Sequence, residues 1–355
     1  MKNLLVLFCL VLLQLVSRAQ QLNSPDGQLQ LHFKLTDSVP YYQLSFKSKL
    51  LVNNSKLGLT LKDGASLQHG FTITDQQQKT VNEQWQPVLG EVKSITNHYN
   101  ELLVTLQQPK EKRSIRIRFR LFNDGLGFRY EFPEQQHLNY FVITEEDTEI
   151  KLTEDYTAWW IPGDYDTEEY NYTRSTLSAI PSLFDKSYDG NASQKIVPLS
   201  VQTPVQLKSP DGKVYVNIHE AALIGYPGYC LNIDAKNYTF KAHLTPDGQG
   251  NKGYIQTPFH TPWRTIVVAD NAPAMLSSKL ILNLNDPTTY TSTDWIKPVK
   301  YVGVWWEMIF GQKSWSYTNL DNVHLGKTDY TKTTPNGTHG ANNSYVKKYI
   351  DFAAK

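Results

Sequence analysis

Apolar and polar residues alternate with a period of two through most of the chain. Residues 28–35 (QLQLHFKL), 42–47, 102–106 and 114–120 (SIRIRFR) follow this rule, the last with Ile115, Ile117 and Phe119 on one face. Successive side chains of a strand point to opposite sides, so the pattern predicts antiparallel strands in sheets buried on one face only. Turn residues punctuate the strands. Pro-Asp-Gly occurs at 25–27, 210–212 and 246–248. Proline presets the first turn dihedral, and glycine takes the positive φ that other residues resist. Asn123-Asp124-Gly125 reads as a hairpin turn. No long amphipathic helix precedes residue 340. So many strands over residues 20–294 exceed one immunoglobulin-sized unit, and a large two-sheet sandwich is the economical fold.

The pattern breaks at residues 293–300 (TDWIKPVK) with Pro298, where a domain boundary is expected, giving domains 20–294 and 295–355. Residues 301–308 (YVGVWWEM) then predict an apolar strand. A polar linker with Gly311, Gly326 and Gly337 follows, and the closing HGANNSYVKKYIDFAAK predicts a helix. Asn342 or Ser344 would cap it, with Val346, Ile350 and Ala353 at helical spacing. Strand, loop and helix open a β/α unit, which normally leads into a second, parallel strand. The expectation is a complete all-β domain followed by the first unit of an unfinished β/α domain.

At the other end, Lys2 provides a positive n-region, residues 4–16 an apolar h-region, and Ser17-Arg18-Ala19 a small-residue cleavage site. These features predict a signal peptide over residues 1–19, cleaved after Ala19, and export to a periplasm or the exterior. The apolar run is short for a membrane span and Cys9 lies inside it, so neither a transmembrane nor a lipid anchor is expected. Cys230 is then the only cysteine left, and the core must hold the fold without a disulfide. A formal net charge of +1 gives no electrostatic basis for a nucleic-acid or anionic-membrane partner. The 21 tyrosines and 8 tryptophans reflect either strand propensity or a sugar-binding surface, since aromatic rings cover the apolar faces of pyranoses.

Nothing matches a nucleotide-binding loop, a zinc site or a nucleophile elbow, and no helix follows Gly125-Leu126-Gly127. Four places could carry chemistry. His219-Glu220 ends an alternating strand, so Glu220 is either a polar sheet edge or a hard-oxygen ligand forming part of a calcium site. Trp159-Trp160 leads into an acidic, aromatic loop that is either simply solvated or part of a sugar-contacting rim. Trp263-Arg264 reads as a stacking or ion-pair element of the core. Trp305-Trp306-Glu307 lies where a first barrel strand would end, which is where barrel enzymes build active sites; the alternative is two core tryptophans and a surface glutamate.

Together, WWIPGDYDTEEY (159–170), IHEAAL (218–223), HTPWR (260–264) with LILNLNDP after it, VGVWWEM (302–308) and the closing helix resemble glycoside hydrolase family 97. The resemblance implies an N-terminal β-super-sandwich of the galactose-mutarotase-like kind, followed by a (β/α)8 barrel of which this chain would hold the first unit. It further implies an exported, calcium-dependent glycosidase acting on α-glucosides or α-galactosides. One calcium ligand would come from the sandwich, at the position matching Glu220, and Trp306 and Glu307 would contact substrate. The family's catalytic carboxylates would lie beyond Lys355, so the polypeptide alone is expected to be inert. The rival expectation is a non-catalytic, exported carbohydrate-binding or structural β-sandwich.

Overall fold

The computed structural model describes residues 20–188, 194–319, 323–324 and 326–355. The expected signal peptide, residues 1–19, lies outside the described residues. Contacts divide the chain into a unit ending at Thr288 and a second, Thr289–Lys355.

The first unit is a β-sandwich. One face is a nine-stranded sheet in the spatial order Gln20–Asn23, Leu29–Thr36, Val39–Phe46, Lys49–Lys56, Glu149–Leu152, Thr239–Leu244, Tyr229–Asp234, Ile196–Gln202 and Pro162–Asp164. The other runs Thr173–Thr176, Thr157–Trp160, Val205–Lys208, Tyr215–Ala221, Trp263–Ala269, Gly125–Phe132, Arg113–Phe122, Ile95–Gln108 and Thr72–Trp85. Phe259–His260 adds a short tenth strand to it beside Gly125–Phe132, and a separate three-stranded sheet holds Tyr140–Glu146 at its centre. All these pairings are antiparallel, as the alternation predicts.

The alternation sets the core. In Arg113–Phe122, Ile115, Ile117, Phe119 and Leu121 are fully buried, while Arg116, Arg118 and Arg120 face the other way. Aromatic rings tie the two sheets together. Phe33 and Tyr42 of the nine-stranded sheet meet Phe119 and Phe128 of the other at centroid separations of 5.6 and 5.1 Å. Burying each such ring contributes about 1.5–3 kcal/mol before its ordering entropy is counted.

The first two Pro-Asp-Gly turns fold alike. Gly27 and Gly212 both sit at φ +74°. In each, a serine hydroxyl (Ser24, Ser209) donates to the turn aspartate at 2.6 Å and accepts the backbone N–H five residues on, at 2.9 Å. The third copy departs from the expectation. There the positive φ falls on Gly250, because Asp247 accepts the N–H groups of Gln249 and Asn251 and shifts the reversal past Gly248. Asn123 and Asp124 make the expected hairpin, with Phe122 paired to Gly125.

In the second unit, the helix Asn343–Ala353 forms as expected, with Asn342 Oδ1 accepting the N–H of Tyr345 at 3.0 Å. The strand expected over residues 301–308 does not form. Residues 301–303 carry no regular structure, and Trp306–Ile309 is a single helical turn. A strand needs a neighbour to satisfy its backbone donors and acceptors, and no sheet is present here to supply one. The barrel unit is therefore not seen among the described residues. No helix among them is long and apolar enough to cross a membrane.

Candidate functional site

The strand Tyr215–Ala221 sends Val216 and Ile218 into the core. Glu220 continues that inward series at the strand's end, directly across from Arg264 of the neighbouring strand. Arg264 is 1% exposed. Its Nε and Nη2 donate to the two oxygens of Glu146 at 2.9 and 2.7 Å, and its Nη1 donates to Glu220 Oε2 at 2.5 Å. The guanidinium also lies over the Tyr229 ring, 4.0 Å from its centroid. Glu146, fully buried, accepts further bonds from Thr148 Oγ1 at 2.9 Å and Tyr226 OH at 3.3 Å. Both Glu146 oxygens and all three guanidinium nitrogens of Arg264 are hydrogen-bonded, which a buried ion cluster needs if desolvation is not to outweigh its attraction.

Electrostatics distinguishes the two carboxylates. Burial would lower the Arg264 pKa, but Glu146 and Glu220 hold it well above its ordinary value. Burial pushes the Glu220 carboxyl up, against the pull of Arg264, and Glu146 pushes it the same way. Glu220 is the member that also borders open space.

That space is a cleft of about 660 Å³ at the end of the sandwich. Glu220, His219 and Tyr229 line one part of it, and the acidic loop with Asp164 and Glu168 lines another. His219 Nδ1 is buried with no hydrogen-bond partner, and burial lowers the pKa of its ring, which favours neutral imidazole. The carboxylates of Asp164 and Glu168 are spent on the loop and on the neighbouring chain. Asp164 Oδ1 accepts the N–H groups of Asp166 and Thr167 at 2.7 and 3.2 Å. Its Oδ2 accepts from Tyr170 OH at 2.7 Å and from the N–H of Lys195 at 3.0 Å. Burial alone would raise the Asp164 carboxyl; these four bonds bring it below its ordinary value. Glu168 accepts from Gln202 Nε2 at 2.8 Å.

Among the described residues, no three His, Cys, Asp or Glu side chains converge as a metal site. Glu220 is a single carboxylate held in orientation by Arg264, and no coordination sphere is completed around it among the described residues. Trp306 and Glu307 belong to the second unit. Trp306 is 62% exposed and meets Trp305 edge-on, while Glu307 accepts from Tyr345 OH, which lowers its pKa. The HTPWR arginine is the ion-pair and stacking element its sequence suggested. Its main partner, Glu146, gave no signal, being one acid in a run of Glu145-Glu146-Asp147.

The family model described as the glycosyl-hydrolase 97 N-terminal domain matches residues 22–287. A glycoside hydrolase family 97 enzyme from Pseudoalteromonas sp. strain K8, solved in complex with acarbose, is similar to this chain at 35% identity and a TM-score of 0.78. The match covers 94% of this chain and 46% of that one. A variant of that enzyme in complex with panose matches at 35% identity and TM-score 0.77, with the same 94% and 46% coverage. A β-arabinopyranosidase shares the fold, at 20% identity and TM-score 0.59 over 71% of this chain and 40% of that one. The chain thus spans about half the length of the solved family 97 enzymes it matches, 46% of each.

Proposed function

The chain belongs to glycoside hydrolase family 97, and from that premise we propose that it forms the sandwich part of an exported, calcium-dependent α-glycosidase. In this reading Glu220 supplies one ligand oxygen to the ion. The observation that carries it is the placement of Glu220: a carboxyl held by a fully buried arginine and lining a cleft.

When bound, calcium would hold and polarise oxygens of the sugar. The chain's own part is to fix the ligand. Arg264 and the backbone of Tyr229 hydrogen-bond the Glu220 carboxyl and pull its pKa down, against the burial and the Glu146 charge that leave it raised; a hard cation binds the ionised form. The loop stapled by Asp164 walls the cleft. Trp306 and Glu307 are assigned to substrate contact, and residues 1–19 to export. The acarbose and panose held by the related enzyme support an oligosaccharide or other α-glycoside as the substrate. The catalytic carboxylates are assigned to sequence beyond residue 355, in keeping with the share of the relatives that the chain spans.

The test is to follow the reading frame past codon 355, express its whole product and assay release of nitrophenol from nitrophenyl α-glucoside and α-galactoside. Hydrolysis of either, lost on chelation, is the expected result. A stop directly after Lys355, with tight sugar binding and no hydrolysis by the purified chain, would replace the proposal with a non-catalytic binding protein.

A further inference from the structure

The strand Tyr140–Glu146 ends in two acids that serve different parts of the Glu220 cleft. Glu146 binds Arg264, which in turn holds Glu220. Glu145, the residue before it, points the other way, as consecutive strand residues do, and meets His243 of the strand Thr239–Leu244. Glu145 Oε2 lies 3.1 Å from His243 Nδ1 and accepts from Lys252 Nζ at 2.5 Å; the Lys252 ammonium is 3.3 Å from Nδ1. On the other side of the ring, His243 Nε2 lies 2.6 Å from the hydroxyl of Tyr165. The Tyr165 ring stacks on the imidazole, with centroids 6.1 Å apart. Tyr165 follows Asp164 in the acidic loop and lines the cleft, whereas His243, Glu145 and Lys252 do not line it.

The donor and acceptor chemistry gives these bonds a direction. An ionised carboxylate only accepts, so Nδ1 carries the ring proton and Nε2 is left to accept from the Tyr165 hydroxyl. Burial would raise the Glu145 carboxyl, and the bonds from His243 and Lys252 bring it below its ordinary value. Burial pushes the Tyr165 phenol up, so its proton stays available to donate.

We propose that His243 is a positioning residue for the Glu220 cleft, fixing the acidic loop through Tyr165 while Glu145 orients the ring. The Asp164 bonds hold the loop to itself and to Lys195. The Tyr165–His243 bond ties it further, to a strand three places in from the edge strand Pro162–Asp164. Because Glu145 and Glu146 are neighbours, the loop and Glu220 are both set from one strand end. That this spacing serves a bound ligand rests on the function proposed for Glu220; the bond itself does not.

The test follows hydrogen exchange of the Asp166 and Thr167 amides in the full chain, with amides of the strand Arg113–Phe122 as control. Tyr165→Phe and His243→Ala should each lower protection of the loop amides roughly three- to tenfold, the size of one hydrogen bond's contribution, and leave the control amides unchanged. The double variant should lose no more than either single one, because both remove the same bond. His243→Gln, whose side-chain oxygen can accept from the phenol, should recover most of the loss, which a role in packing alone would not allow. Nitrogen NMR of the neutral wild-type ring should show a protonated Nδ1 and a bare Nε2. None of these readouts needs calcium or a sugar, so their failure is separate from failure of the function proposed for Glu220. Unchanged loop protection in Tyr165→Phe, additive losses in the double variant, no recovery in His243→Gln, or a neutral ring protonated on Nε2 would each overturn the proposal.

Discussion

Replacing Arg264 with methionine keeps most of the side-chain volume and removes the charge that two buried carboxylates share. Three charge-assisted bonds of 2.9, 2.7 and 2.5 Å disappear. Glu146 then stands fully buried without its cation, and the Glu220 side chain, 9% exposed, loses its own. Breaking a buried pair by removing one partner costs about 3–5 kcal/mol, mostly the penalty of the stranded charge. Against a typical stability of about 5–15 kcal/mol this is a large fraction. In urea, with a slope of about 3 kcal/mol per molar, the midpoint should fall by about 1–1.7 M. The deficit should also depend on pH. The Glu220 carboxyl is already raised by burial, and losing Arg264 removes the group that pulls it back down. A carboxyl raised in the folded state makes that state gain stability as pH falls through its folded pKa, so the deficit should shrink as pH is lowered from neutral. A loss under about 1 kcal/mol at pH 7 would show that the cluster does not carry the energy assigned to it.

Further outcomes follow from the same geometry. Glu220→Gln should cost only about 1–2 kcal/mol in urea unfolding, because Arg264 keeps both bonds to Glu146. Asp164→Ala strands three backbone N–H groups and a tyrosine hydroxyl in the cleft wall, and should cost about 2 kcal/mol. Because the Asp164 carboxyl is held below its ordinary value, its contribution is present at neutral pH. That contribution fades as pH falls through the lowered folded value, so wild type and variant should converge in strong acid. Gly163→Ala places a Cβ 2.0 Å from Ser200 Oγ and should lower the urea midpoint by the equivalent of about 1–3 kcal/mol.

The sandwich was legible because burial of one sheet face imposes a period of two, as in Arg113–Phe122. Its two Ser-Pro-Asp-Gly turns were legible because side-chain chemistry at each is local. The strand expected over residues 301–308 failed for the opposite reason: an apolar run becomes a strand only when another strand pairs with it, and sequence alone does not show whether one will. In the candidate site, Glu220 stood out through its place at a strand end. Glu146 did not, since the pairing that joins residues 118 positions apart exists only after the sheets close. Asp164 stands out in the sequence as part of an acidic loop, and only the folded chain shows its oxygens turned inward to staple that loop.

We propose Glu220 as the sandwich's ligand for calcium. Calcium affinity of the whole reading frame's product, measured by calorimetry for wild type and Glu220→Gln, tests it most directly. The expected result is a loss of about 10–100-fold in affinity in the variant, with the folded state intact by circular dichroism. Equal calcium affinity in the two proteins would contradict it.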